Sequence, residues 1–95
     1  MEAHTTRVAL VTGGAQGIGE GIAVRLAEDG LDVAILDVKG KEEQLKAVAK
    51  KISETGRRSF WLVSDVTSEE AVGRAVDEVV AALGSLDVVC ASMRT

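Results

Sequence analysis

Tyrosine is absent from this 95-residue sequence, and Phe60 and Trp61 are its only aromatic side chains. No phenol is therefore available as a proton donor or acceptor, and two aromatics do not make a stacking platform for bases. Trp61, inside the apolar run Phe60-Trp61-Leu62-Val63, reads as a packing residue. Cys90 is the only cysteine and His4 the only histidine. An internal disulfide is excluded, and a metal site would have to be assembled from scattered carboxylates. His4 falls in a polar amino-terminal segment and reads as solvated; Cys90 falls in an apolar run and reads as a small hydrophobe. No apolar run approaches the roughly 20 residues that span a bilayer. Residues 1–7 have neither the basic region nor the apolar core of a leader. The expected location is cytoplasmic, with no membrane partner. Basic residues are outnumbered, 11 against 15 acidic, for a net charge of -4. Arg57-Arg58 is too short a cluster to reverse that balance, so no nucleic-acid partner is expected.

What is present is ordinary globular composition, 46% apolar and 27% charged, in a length that suits one small domain over residues 1–95 and leaves no room for a second. Val8-Ala9-Leu10-Val11 is a continuous apolar run ending at glycines, as in a strand buried on both faces. Ile18, Ile22, Ala23, Leu26 and Ala27 then recur at helical spacing up to about Asp29, with Gly30 as terminator. Val33-Ala34-Ile35-Leu36 repeats the strand signal and ends at Asp37. Leu45, Val48, Ala49 and Ile52 mark one face of a second helix, with lysines and Glu42 outside it and Gly56 after it.

Residues 59–64 predict a third strand. Thr67-Ser68-Glu69-Glu70 has capping-box spacing, with Thr67 as the cap of a third helix. That helix carries Val72, Ala75, Val76, Val79, Val80 and Leu83 as its apolar stripe and stops at Gly84; residues 86–91 predict a fourth strand. The order βαβαβαβ implies an α/β fold, a partial Rossmann arrangement in three layers. Its four parallel strands are expected in the order 3-2-1-4, with two helices on one face and the third on the other.

The chemistry is concentrated in Thr12-Gly13-Gly14-Ala15-Gln16-Gly17-Ile18-Gly19, between the first strand and the first helix. A glycine turn there lets backbone approach a pyrophosphate while the helix presents its free N–H groups and positive dipole end. Gly19 is followed by Glu20, not by Lys-Ser or Lys-Thr, so a Walker-type loop and ATP or GTP hydrolysis are rejected. Asp37 lies at the end of the second strand, where a carboxylate accepts from both ribose hydroxyls and repels a 2′-phosphate. NAD is therefore expected over NADP. Lys39 and Lys41 temper that preference, since a cation there could take a phosphate if Asp37 turned away.

The pattern Thr-Gly-x-x-x-Gly-x-Gly at residues 12–19 resembles the glycine motif of the short-chain dehydrogenase/reductase family, and the likeness extends to about Ala91. It covers the first four strands of a family sheet of about seven. The resemblance implies cofactor contacts at Gly13, Gln16, Gly17, Ile18, Gly19 and Asp37. It also implies that Asp65-Val66, after the third strand, meets the adenine ring. The leader Val8–Gly19 looks closest to members acting on small diketones or hydroxyketones, such as acetoin or diacetyl reductases. Methyltransferases share a glycine turn and a following acid, but Thr12-Gly13, the gap to Gly17 and Asp65-Val66 favour a nicotinamide cofactor. Extended epimerase relatives space their glycines differently.

The likeness breaks at the last residues. Ser92, Met93 and Arg94 stand where the family has Asn-Ala-Gly, a change that an altered exon junction or a frameshift would produce. In the family, reversible carbonyl reduction by hydride transfer uses a tyrosine and a lysine that lie further along. The 95 residues are thus expected to hold nicotinamide dinucleotide without turnover, and no residue here is assigned a catalytic role. The alternatives are a stand-alone binding module that pairs with a partner, or a gene-model fragment of an active enzyme. The fourth strand would be an uncovered edge, through which self-association is expected.

Overall fold

The computed structural model describes residues 6–64 and 68–91. Its elements are β1 (Val8–Thr12), α1 (Gly17–Glu28), β2 (Asp32–Asp37), α2 (Glu42–Glu54), β3 (Ser59–Val63), α3 (Glu69–Leu83) and β4 (Val88–Ala91). All pairings are parallel, in the order β3-β2-β1-β4, so the two strands with the most continuous apolar sequence lie in the middle. β2 is buried at every position and β1 at four of five, which is why neither shows the alternation of a one-sided strand.

Side chains leaving β1 and β2 in opposite directions build two cores. Val11, Val33 and Ile35 meet Ala23 and Ala27 of α1 and Leu45, Val48, Ala49 and Ile52 of α2. Val8, Leu10, Ala34 and Leu36 meet Ala75, Val79 and Leu83 of α3. Two helices therefore cover one face and one covers the other. Each fully buried Leu or Ile stabilises this sandwich by about 1.5–3 kcal/mol. Trp61 packs at the margin of the first core, with Lys46 Nζ 5.8 Å from its ring centre.

Four local expectations are corrected. The cap of α3 is Ser68, whose Oγ accepts from the Ala71 N–H at 3.2 Å; with alanine at that position the reciprocal half of a capping box has no carboxylate. Thr67 itself is outside the described residues. Ile18 is 78% exposed and not part of the α1 core face, because Gly19, one position on, is the residue facing the turn. Val80 sits at the rim of its stripe, exposed. β4 begins at Val88, not at residue 86, because Asp87 is spent on β1: its N–H donates to the Val8 carbonyl at 2.8 Å and its Oδ2 accepts from the Val8 N–H at 2.9 Å.

Among the described residues, no helix is long and apolar enough to cross a membrane.

Candidate functional site

Parallel pairing of β1 with β2 brings Thr12 level with Leu36, so the segment leaving β1 and the acid ending β2 share one rim of the sheet. The turn between β1 and α1 is fastened to that rim by its own backbone. The N–H groups of Gly13 and Gly14 donate to the Leu36 carbonyl at 2.7 and 3.2 Å. Gly14 presses on the sheet so closely that a Cβ there would lie 2.8 Å from the Ile35 side chain.

Gly19 and Gly17 serve the turn in different ways. A Cβ on Gly19 would stand 1.9 Å from the Gly13 carbonyl oxygen, so only glycine lets the first turn of α1 dock on the loop. Gly17 has φ of +64°, a backbone conformation that side chains disfavour, and open space where a Cβ would point. Among the described residues nothing crowds Gly17, and a ligand can approach its backbone.

α1 begins at Gly17 with Gln16 as cap residue, and among the described residues no side chain caps it. The N–H groups of a helix's first turn have no intrahelical partner, and the positive end of the dipole lies with them. Buried apolar packing of Ala23 and Ala27 fixes the axis that aims them. Gln16 is engaged sideways instead: its Oε1 accepts from Lys41 Nζ at 3.3 Å. Ile18 is exposed at the same mouth.

Asp37 is only 5% exposed, and both of its carboxylate oxygens are used. Oδ2 accepts from the Ala15 N–H at 3.1 Å, and Oδ1 from the Val38 N–H at 2.7 Å. An ionised carboxylate has about four acceptor positions, so two backbone donors leave capacity for hydroxyls. Beside it, at the carboxyl ends of β2 and β3, a cavity of about 290 Å³ is lined by Val38, Lys39, Val63 and Ser64.

Six of the eight residues read from sequence, Gly13, Gln16, Gly17, Ile18, Gly19 and Asp37, are therefore gathered at one end of the sheet. Asp65 and Val66 lie outside the described residues. The hold of Asp37 on Ala15 and that of Lys41 on Gln16 were missed. No pattern within the segments 12–19 or 37–41 signals them, because each bond joins residues more than 20 positions apart.

A family model described as short chain dehydrogenase matches residues 7–93. The chain belongs to the short-chain dehydrogenase family of oxidoreductases. It is 42% identical over 83 residues to L-2,3-butanediol dehydrogenase of Corynebacterium glutamicum, an alignment covering 87% of this chain and 32% of that protein. NAD⁺-bound xylitol dehydrogenase superposes with a TM-score of 0.80 at 42% identity, over 87% of this chain and 31% of that one. A short chain dehydrogenase from Burkholderia cenocepacia in complex with NADP superposes with a TM-score of 0.83 at 47% identity, over 87% and 34%. The chain spans about a third of the length of these relatives.

Proposed function

We propose that this chain is the cofactor-binding portion of a short-chain oxidoreductase and holds a nicotinamide dinucleotide by its adenosine half. The observation that carries the reading is the uncapped α1 amino terminus behind an unobstructed Gly17, on the same rim as Asp37. One end suits the pyrophosphate: N–H donors, positive dipole, close backbone approach. The other suits a ribose: a carboxylate with acceptor capacity left. Bound NAD would supply the hydride donor or acceptor. Gly13, Gly17 and Gly19 shape the backbone that meets it, Gln16 and Ile18 flank the entrance, and Asp37 takes the ribose hydroxyls. Asp65 and Val66 complete the reading at the adenine.

NAD is preferred over NADP because a 2′-phosphate would have to share space with the Asp37 carboxylate. Relatives of both kinds exist, one solved with NAD⁺ and one with NADP, so the preference rests on Asp37 alone. The parent reaction is reversible reduction of a carbonyl to an alcohol by hydride transfer, and the butanediol dehydrogenase relative supports a small hydroxyketone or diketone as its substrate class. The 95 residues contain no tyrosine, so by themselves they bind without turnover.

Calorimetric titration with NAD and NADP, followed by an absorbance assay for NADH in the same sample with 2,3-butanediol, tests this. Saturable NAD binding, weaker NADP binding and no NADH formation are expected. Binding of neither dinucleotide sinks the cofactor reading, and NADH formation at an enzymatic rate sinks the assignment of a binding role alone.

A further inference from the structure

Four consecutive residues of the glycine turn are each tied to the segment that closes β2 and opens α2. Gly13 and Gly14 donate to the Leu36 carbonyl, Ala15 donates to Asp37 Oδ2, and Gln16 Oε1 accepts from Lys41 Nζ. The first two bonds join backbone to backbone and depend on no side chain. The third depends on one side chain, and that side chain is buried with its other oxygen occupied by the Val38 N–H. Asp37 thus holds the backbone N–H of Ala15, the residue just before Gln16, the cap of α1.

We propose that Asp37 is a positioning residue for the phosphate turn, acting on the pyrophosphate subsite through Ala15 as well as on the ribose directly. This rests on the nucleotide reading above and adds to it. If Asp37 served only the ribose, its replacement would matter only for ligands that carry ribose hydroxyls. If it also sets the turn, replacement loosens Ala15 and Gln16 and misdirects the N–H groups of Gly17 and Ile18, whatever the sugar carries. Asparagine separates the two roles. Its oxygen can still accept from a ribose hydroxyl, but its amide nitrogen would face one of two backbone donors, so one of the bonds to Ala15 and Val38 is lost.

The test is calorimetric titration of the full chain and of its Asp37→Asn variant with two ligands: NAD, and the NAD analogue with a 2′,3′-dideoxy adenosine ribose. Losing one charge-assisted bond at a buried site corresponds to roughly a tenfold weakening, and the proposal expects about that loss for both ligands. A loss confined to NAD, with the dideoxy analogue within about twofold of wild type, a change too small for a lost hydrogen bond, overturns it. A wild-type chain that binds neither ligand overturns the nucleotide reading and this one with it. Should Asp37→Asn fail to fold, amide hydrogen exchange on the cofactor-free wild-type chain decides. Slow exchange at Ala15 upholds the tie, and exchange as fast as at the exposed Lys39 overturns it.

Discussion

The strand β2 begins and ends with an aspartate, and the two buried carboxylates have opposite surroundings. Asp32, at 1% exposure, is met by two arginines: Oδ1 accepts from Arg57 Nε at 3.1 Å and from the Arg58 backbone N–H at 2.9 Å, and Oδ2 from Arg58 Nε at 2.9 Å. Arg58 also donates to the Leu83 carbonyl at 2.8 Å, so this cluster ties β2, the entry to β3 and the end of α3 together. Asp37, five residues on, is met among the described residues by backbone N–H groups alone, those of Ala15 and Val38. A carboxylate neutralised by two arginines has nothing left to offer a ligand; one held by neutral donors at an open rim does. Burial of an acid is therefore no mark of function. The partners decide.

The largest break in this comparison comes from the turn, not from either acid. Gly19→Ala places a methyl group into the Gly13 carbonyl, and overpacking of that kind costs about 3 kcal/mol or more. Chemical denaturation should show a marginal or unfolded chain. Gly17→Ala, with open space and only a backbone penalty, should cost about 1–2 kcal/mol.

Next comes Asp32→Ala, which leaves the Arg57 and Arg58 donors without their common acceptor. Breaking a buried pair costs about 3–5 kcal/mol, and the partial exposure of both arginines places this one at the lower end. Per folded molecule, NAD affinity should be unchanged. A loss of affinity as large as that of an Asp37 variant would erase the distinction between the two ends of β2.

Acid titration sharpens the same contrast. Burial by itself pushes the Asp32 carboxyl up, but the Arg58 N–H and the Arg58 and Arg57 guanidiniums outweigh it and hold it below the ordinary 3.8. A depressed pKa in the folded state contributes stability that is present above the unfolded value and lost as pH falls through the folded one. Stability should thus decline below about pH 4, and Asp32→Asn should flatten that decline. An unchanged acid limb in the variant would remove Asp32 as its source.

The smallest expected effect lies at the other sheet edge. Among the described residues β4 pairs only with β1, and Val89 is 59% exposed. Val89→Lys should reduce self-association in size-exclusion chromatography at high protein concentration while leaving the unfolding midpoint nearly unchanged. A wild-type chain that elutes as a clean monomer would dispense with the edge-pairing expectation.

Several of these features were legible in sequence because they are local. The apolar runs at 8–11 and 33–36 are strands buried on two faces, and the stripe Leu45, Val48, Ala49 and Ile52 is buried as its spacing indicates. The glycine turn and Asp37 were recognisable as candidates from spacing between one strand and the next. Others were not. No local pattern singles out Asp32, since its arginines arrive from 25 and 26 positions later. Asp87 looked like part of β4 because its bonds to Val8 cross 79 residues. Ile18 kept the helical period yet points outward, because a periodicity cannot tell which side of a helix's first turn meets the preceding loop.

The amino-acid sequence by itself determined the alternation of strands and helices, the position of the turn and the presence of an acid at the end of β2. Those follow from apolar periodicity and from the conformations that glycine alone tolerates, which act within a few residues. Only the tertiary structure decided what each acid touches. Parallel strands bring together residues separated by whole helices, so Asp37 meets Ala15 and Asp32 meets Arg57 and Arg58 through crossovers that no local pattern encodes.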